Sequence, residues 1–266
     1  MKRSYLLTAA LLLFTAANAA ADPYADGQKL ADAVYNRPIG DDVFGAGLMI
    51  LQEPGKAPQT RQTYTFGKDK GGGHRMNLIR FQSPPDIAGV GMLTINNPGG
   101  ATDQWLYLPA LGKVRRVPSD LKGGRFVGSD LYNEDLRNRE PNMDRHKVTG
   151  TEKYKGQDVT VLESTPVDPD NSTYSKKISW ISTKILLPLR IDYYQHDKLV
   201  KRAEALRIEK IQGIWTVMDT LVTDLDTKHT TEVKTEKITY NTGLPDDLFS
   251  QQVLEDPQRD KSFIKQ

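Results

Sequence analysis

Short runs of alternating apolar and polar residues recur along most of the chain and predict antiparallel β-strands. In the run at 188–194, Leu189, Ile191 and Tyr193 occupy every second position and charged residues stand between them. Such alternation is typical of a sheet with one face buried and the other exposed to water. The predicted strands are Val43–Gln52, Gln59–Phe66, Arg75–Gln82, Gly89–Asn96, Gln104–Leu108, His146–Tyr154, Gln157–Pro166, Lys176–Ser182, Pro188–Tyr194, Leu199–Gln212, Ile214–Asp224 and Thr230–Tyr240.

Two segments have a different pattern. Residues 24–36 place apolar side chains at helical spacing and are followed by Arg37 and Pro38, which predicts one helix. Residues 118–141 are rich in Gly and polar residues, and we interpret them as a small helical insertion in which Ser129 or Asp130 caps a short helix. This insertion interrupts the strands near the middle of the chain.

The chain has no internal repeat and no low-complexity linker, so residues 22–266 are predicted to form a single domain. The polar tail from Pro245 onward contains a few apolar positions, and it either packs along the sheet or frays. Those positions are Leu248, Phe249, Val253, Leu254, Phe263 and Ile264.

The first 21 residues have the pattern of a cleavable export signal. Lys2 and Arg3 precede an apolar stretch at 6–17, and small residues suitable for cleavage follow at 17–21. A membrane anchor is the alternative, but the stretch is about a dozen residues where a bilayer span needs about 20. We therefore expect a mature protein in the periplasm of a Gram-negative bacterium, without stable membrane insertion.

The composition excludes several classes of function. The chain has no cysteine, so a disulfide, a thiol nucleophile or a thiolate-bound metal is impossible. Loss of Lys2 and Arg3 with the signal leaves 34 of the 36 basic residues against 34 acidic ones. A protein that depends on nucleic-acid phosphates is expected to carry excess positive charge, so a nucleic-acid partner is not expected.

Nothing in the sequence predicts an enzyme, a metal site or a cofactor. The nucleophile-elbow and metalloprotease motifs are absent, and the four histidines lack metal-ligand spacing. One alternative is a lipid hydrolase that uses Ser129 and Asp130 with His146, although their spacing carries no specificity. We expect no catalytic residues.

The most specific motif is the strand and basic turn at 104–117, followed by the Phe-Val-Gly-Ser-Asp run that begins at Phe126. This order resembles the LolA-like family, commonly labelled outer-membrane lipoprotein-sorting protein. The resemblance implies an incomplete antiparallel β-barrel, or half-barrel, whose concave face is covered by a few helices above an apolar cavity. It also implies a non-enzymatic periplasmic carrier of lipid or lipoprotein acyl chains towards the outer membrane. The alternative is an accessory or adaptor of an exporter of the resistance-nodulation-division superfamily.

Two groups of residues are candidate contacts. Aromatic side chains suit a cavity that is apolar at one end and wet at the other, although ordinary core packing is the alternative for each of them. The aromatic candidates are Trp105, Tyr107, Phe126, Trp180 and Trp215. The basic candidates for contact with a headgroup or a partner are Lys113, Arg115 and Arg116. The alternative is that they form an ordinary solvated hairpin. Asp130, Glu134 and Asp135 are possible ion-pair partners of these basic residues.

Overall fold

The structure is a computed structural model that describes residues 22–264. The predicted export signal lies outside the described residues. Helix α1 spans Pro23–Tyr35, and two short helices, α2 (Gln251–Glu255) and α3 (Pro257–Lys261), lie near the C-terminus. The strands are β1 (Asp42–Gln52), β2 (Gln59–Asp69), β3 (Arg75–Ser83), β4 (Gly91–Asn96), β5 (Thr102–Leu108), β6 (Lys113–Arg116), β7 (Asp144–Tyr154), β8 (Gln157–Pro166), β9 (Lys176–Ser182), β10 (Leu187–Gln195), β11 (Lys198–Ile211), β12 (Ile214–Asp224) and β13 (Thr230–Tyr240).

All thirteen strands belong to one antiparallel sheet with the order β6-β5-β4-β3-β2-β1-β13-β12-β11-β10-β9-β8-β7. Every neighbour in this order is also a neighbour in sequence except the pair β1–β13, which joins two meanders at the centre of the sheet. Among the described residues β6 and β7 each pair with one strand, so the sheet remains open between them. This is the incomplete antiparallel barrel that the resemblance implied.

Tight hairpins explain why so many strands follow one another directly. Lys155 and Gly156 connect β7 to β8 with φ values of 49° and 79°, and Gln212 and Gly213 connect β11 to β12 with 49° and 87°. Two consecutive positive φ angles define the turn whose twist matches that of paired strands. The glycine at the second position adopts this conformation without steric cost.

The two faces of the sheet are distinguished by the alternation within β1. Phe44 points to one side, where it pairs with the ring of Phe66 at a centroid distance of 5.4 Å. Met49 and Leu51 have the opposite parity and belong to a separate apolar cluster that contains Phe126. We call the side of Phe44 the outer face and the side of Met49 the inner face.

The outer face is covered by residues 244–264, which we call the C-terminal segment. Its apolar side chains pack on β1 to β5 around Phe66, Leu78 and Leu93, none of which is exposed. The predicted tail therefore packs along the sheet. Its buried members in this cluster are Leu244, Leu248, Phe249, Val253 and Leu254.

The inner face is covered by α1 and by residues 117–143, which we call the connector because they link β6 to β7 across that face. The expected helix is absent: the connector contains short 3₁₀ turns, and Val127 and Gly128 have φ values of 49° and 75°, which interrupt a helical path. Ser129 and Asp130 therefore cap no helix. No helix within residues 22–264 combines the length and apolarity needed to cross a membrane. The turns are Ser119–Gly123, Phe126–Gly128, Asn133–Leu136 and Pro141–Met143.

Candidate functional site

Asp130 is the first of three acids, two of them buried and Asp135 half-buried, that fix the connector to the rest of the protein. Its carboxylate accepts hydrogen bonds from Arg125 Nη1 at 2.8 Å and Thr231 Oγ1 at 2.7 Å, and it lies 2.6 Å from His229 Nδ1. Only 1% of Asp130 is exposed. Because each carboxylate oxygen has a partner, the buried charge is compensated and the connector is held against β13.

Asp135 is the second anchor, and it binds a buried lysine. Lys201 on β11 donates to the Asp135 carboxylate and to the hydroxyl of Tyr174, which itself donates to Asp135 at 2.9 Å. The Lys201 ammonium also lies 3.9 Å from the ring centroid of Tyr132 and 4.8 Å from that of Tyr193. Burial lowers the pKa of Lys201, and Asp135 opposes that change. This cluster ties the connector to β11.

Glu134 is the third anchor. It accepts hydrogen bonds from Ser172 Oγ and from the Thr173 backbone N–H, both at 2.6 Å, and lies 3.7 Å from Lys177. The three acids are thus occupied by partners on the sheet and its loops. The expectation that they pair with the basic turn is wrong, since Arg116 pairs instead with Asp103 on the neighbouring strand.

A cavity of about 200 Å³ lies between the connector and the inner face, and we call it the connector cavity. Leu131 covers it, and Ile191, Ala203 and Val222 line it on the sheet side. Lys201 and its partners stand at its border. Because Ala203 is small, the space between β11 and the connector remains unfilled. Its remaining lining residues are Pro188, Tyr193, Glu204, Ala205, Val217 and Thr220.

A second cavity of about 230 Å³ lies beneath α1, and we call it the helix cavity. Val34 lines it from the helix, and Leu162 and Ile181 line it from the sheet. Pro188 and Ile191 line both cavities, so the two spaces lie side by side on the inner face. The inner face thus carries an apolar surface that continues from β8 to β12 beneath its two coverings.

The helix cavity borders a larger cleft of about 890 Å³ at one end of the sheet. The cleft is mainly polar and is formed by the end of α1, the Gly71–Gly73 turn and the last part of the connector. Tyr35, Arg37, Arg75 and Glu140 line both the cleft and the helix cavity. These residues therefore form the boundary between the polar cleft and the helix cavity, whose lining combines apolar side chains such as Leu162 with charged ones such as Arg139 and Asp144.

His146 also lines the helix cavity. One ring nitrogen lies 2.8 Å from the backbone oxygen of Pro141 and the other lies 2.8 Å from Ser164 Oγ. A neutral ring satisfies both contacts, donating to the carbonyl and accepting from the hydroxyl. Burial lowers the pKa of His146, although the Pro141 hydrogen bond opposes that change.

The structure does not bring the five aromatic candidates together. Trp105 and Tyr107 are half-buried on the outer face, against the cluster beneath the C-terminal segment. Trp180 also faces outward, where it donates to Glu152 and its ring lies 4.0 Å from the guanidinium carbon of Arg190. These three residues border neither inner-face cavity.

The other two aromatic candidates are separated from one another. Phe126 lies in the connector, is 1% exposed and packs 5.7 Å from the ring of Phe81 on the inner face. Trp215 is 39% exposed near the start of β12. Neither lines the connector cavity or the helix cavity. A role in ligand contact stays a prediction for all five.

The three basic candidates lie on β6, at one edge of the sheet. The sequence pattern predicts a turn there. Lys113, Arg115 and Arg116 are exposed, as expected for a solvated hairpin. Contact with a headgroup or a partner stays a prediction.

The three residues of the hydrolase alternative, Ser129, Asp130 and His146, form hydrogen bonds with groups other than one another. Ser129 is fully buried and its hydroxyl donates to the Phe126 backbone oxygen at 2.7 Å. Asp130 binds the partners described above, and the hydrogen bonds of His146 go to Ser164 and Pro141. The structure therefore provides no base for Ser129. Within residues 22–264 no group of three His, Asp or Glu side chains is placed to hold a metal ion.

The chain is similar to solved structures along almost its whole described length. It is 33% identical to a DUF1329 family protein from Desulfovibrio piger, with a TM-score of 0.84. The similarity extends over 88% of this chain and 100% of the Desulfovibrio chain. The chain belongs to the DUF1329 family. A family model described as “Uncharacterized protein” also matches residues 73–256.

Two further solved structures are similar to this chain. A protein from Vibrio parahaemolyticus described as an outer membrane lipoprotein-sorting protein domain is 31% identical, with a TM-score of 0.83 over 87% of this chain and 99% of that one. A LolA superfamily protein from Nitrosomonas europaea is 18% identical, with a TM-score of 0.66 over 88% and 100%. The fold is therefore LolA-like. No curated protein matches the sequence.

Proposed function

We propose that this protein is a periplasmic carrier that shelters the acyl chains of lipids or lipoproteins between its inner face and its two coverings, for transfer towards the outer membrane. The observation that carries the proposal is the pair of adjoining cavities lined by Val34, Leu162, Ile191 and Val222, with a polar entrance at one end. The description of the Vibrio relative as a lipoprotein-sorting domain supports the same role. Catalysis is no part of the proposal.

The energetics of acyl transport explain why such a surface is useful. Each methylene exposed to water costs about 0.8 kcal/mol, so a chain of about 16 carbons costs on the order of 12 kcal/mol. A carrier that buries the chain removes this penalty in the aqueous periplasm. It can then release its cargo to an acceptor of similar affinity.

The size of the cavities implies that they join when a chain binds. Ligand pockets are typically about 300–1,000 Å³, whereas these cavities measure about 200 and 230 Å³. A long chain thus needs both of them, and it has to pass Pro188 and Ile191, which they share. We expect the connector to move outward as the chain enters.

Native mass spectrometry of the full chain purified gently from periplasm tests the proposal. We expect a stoichiometric lipid or acylated peptide, which organic extraction then identifies. A protein that is reproducibly empty, and that takes up no lipid offered to it, would contradict the carrier function.

A matched pair of variants locates the binding surface. Ile191→Trp fills the point at which the cavities meet, and we expect at least about tenfold weaker binding of acyl chains because the added volume excludes them. Leu206→Trp makes the same kind of change at a side chain that is 47% exposed on β11, and we expect no effect on binding. Equal effects of the two variants would place the acyl chain elsewhere.

The second candidate function is a non-carrier accessory of a resistance-nodulation-division exporter, and the open edges of the sheet favour it. β6 and β7 each pair with one strand among the described residues, and residues 149–153 of β7 are exposed. An unpaired edge can accept a strand from another protein. Capture of such an exporter by a protein that remains free of lipid would support this function over the carrier.

A further inference from the structure

Arg37 lies at the boundary between the cleft and the helix cavity, directly after α1. It lines both spaces, and its Nη1 donates to the backbone oxygen of Val34 at 3.0 Å. The Nε of Arg37 is buried and has no hydrogen-bond partner. A buried guanidinium nitrogen without a partner is uncommon, because its desolvation is not repaid.

No carboxylate compensates the charge of Arg37. Burial lowers the pKa of three arginines, Arg37, Arg61 and Arg137. Nearby carboxylates oppose this change for two of them, Asp86 for Arg61 and Glu134 for Arg137. Near Arg37 the second influence is another cation, Arg75, which lowers the pKa further, and the group that opposes this change is the Tyr240 phenol rather than a carboxylate.

Two charged residues that line both spaces with Arg37, Arg75 and Glu140, are engaged with other partners. Arg75 Nε binds Asp69 at 2.8 Å, its Nη2 donates to the Tyr35 backbone oxygen at 2.9 Å, and its guanidinium carbon lies 4.1 Å from the Tyr35 ring centroid. Glu140 accepts a hydrogen bond from the Gly99 N–H at 3.2 Å. Among the described residues no ion pair joins a carboxylate to Arg37, so its positive charge is available to a ligand.

We propose that Arg37 binds the anionic headgroup, a carboxylate or a phosphate, of an amphiphile whose acyl chain lies in the helix cavity. A guanidinium suits this task because it presents donors in a planar fork that matches both kinds of oxyanion. Val34 and Ile191 place the apolar wall directly behind it. The proposal rests on the carrier function and adds the class of cargo.

Binding of three amphiphiles with a twelve-carbon chain tests the proposal on the delipidated full chain. Laurate and dodecyl phosphate carry an anionic headgroup, whereas 1-monolaurin is uncharged, and inorganic phosphate supplies the anion without the chain. We expect the protein to bind both anionic amphiphiles about tenfold or more tightly than monolaurin. Inorganic phosphate should compete weakly, because it lacks the acyl contribution.

Arg37→Gln should abolish the preference for anionic probes and leave monolaurin binding unchanged, and Arg37→Lys should restore part of the preference. Arg61→Gln is the matched control, since Arg61 is a second half-buried arginine that donates to the Val127 backbone oxygen at 2.6 Å and does not line the helix cavity. We expect this variant to keep the preference.

Stability separates a binding defect from a folding defect. Because Arg37→Gln removes a half-buried charge that no carboxylate compensates, we expect its Tm without ligand to equal or exceed that of the unmodified protein. A lower Tm would contradict an unpaired charge at Arg37.

The remaining outcomes distinguish the two proposals. Failure of all three amphiphiles to bind would contradict the carrier function itself. Equal binding of laurate and monolaurin, with no effect of Arg37→Gln, would overturn the headgroup site and leave the carrier intact. Binding of inorganic phosphate as tight as that of dodecyl phosphate would show an anion site unconnected to lipid, and would also overturn it.

Discussion

The outer face of the sheet is covered by the C-terminal segment and the inner face by α1 and the connector, and the two coverings are attached by different means. The C-terminal segment presents apolar side chains such as Leu248 and Leu254, which are fully buried against the strands. The connector also packs apolar side chains such as Phe126 on the inner face, but it is fixed in addition through three acids, Asp130, Glu134 and Asp135. Apolar side chains fill the interface beneath the C-terminal segment. Beneath the connector, the connector cavity remains beside Asp135 and Lys201.

The outer interface also contains a buried ion pair, and its two charges are fully compensated. Arg80 on β3 donates through Nε to Asp260 at 2.8 Å, and Tyr64 donates to the same carboxylate at 2.6 Å. The remaining Arg80 nitrogens bind the backbone oxygens of Gly89 and Val253. Asp260 is 0% exposed and Arg80 is 1% exposed, so the pair makes the position of the C-terminal segment specific.

This difference teaches how one sheet can serve two purposes. A covering that closes a core needs close apolar packing, because every unfilled space costs stability. A covering that admits a ligand has to be fixed at a few points and remain separated from the sheet between them. The anchors of the connector meet this requirement, since Asp135 and Lys201 line the connector cavity while Asp130 and Glu134 bind elsewhere along the connector.

The largest expected effect is on the outer face. Asp260→Ala leaves the Arg80 guanidinium buried without its counterion, and we expect a loss of about 3–5 kcal/mol in the free energy of unfolding. Denaturant unfolding followed by tryptophan fluorescence measures it. Asp158→Ala is the control, because Asp158 pairs with Lys153 in full contact with water and should matter far less. Comparable losses in both variants would show that the outer interface is not a sealed core.

A smaller and local effect is expected on the inner face. Lys201→Met removes the cation that binds Asp135, and we expect the connector to open about 3 kcal/mol more easily, which corresponds to roughly 100-fold faster amide exchange. Hydrogen exchange should accelerate at residues 126–136 and remain unchanged in the C-terminal segment. Lys198→Met, on the same strand but exposed, is the control. Faster exchange in both coverings would mean that they are not independent.

The smallest effect is a dependence on pH that also comes from the inner face. Burial lowers the pKa of His146 in the folded protein. Just below about pH 6.5 the His146 side chain is therefore protonated in the unfolded chain but still neutral in the folded one. Stability should therefore fall as the pH decreases from 6.5 to the folded pKa, by at most about 1.4 kcal/mol per pH unit. Denaturant midpoints measured across this window should lose that slope in His146→Gln and keep it in His196→Gln. An unchanged slope in the first variant would exclude His146 as its source.

Most of the sheet could be predicted from the sequence because its strands are joined by short hairpins and alternate clearly. β6 was missed because Lys113–Arg116 is short and basic, and only its pairing with β5 makes it a strand. The connector was predicted to contain a helix, but its turns depend on contacts with β11 and β13, which are distant in sequence. Local pattern carries no information about such contacts.

The candidate site was harder to predict than the fold. Alternation indicates that Trp105 and Tyr107 share one face and Leu106 the other, but it does not indicate which face is the inner one. The size and aromatic character of Trp105 and Tyr107 favour a position in the cavity. In the structure they lie on the outer face, against the cluster beneath the C-terminal segment. A usable signal was present in β11, where Lys201, Ala203 and Ala205 share one parity. Small side chains at inward positions leave room for a ligand.

The pairing of β1 with β13 sets the order in which the chain can fold. Within each meander a strand pairs with one adjacent in sequence, so these contacts form early and locally. The pairing of β1 with β13, the junction at the centre of the sheet, joins strands that are far apart in sequence, because β13 is nearly the last element of the chain. We therefore expect this pairing to form later. Doubling a loop adds only about 0.6 kcal/mol of closure entropy, so the delay is kinetic rather than energetic. Until the junction forms, β1 and β13 both present unpaired edges, and aggregation competes most strongly in this interval.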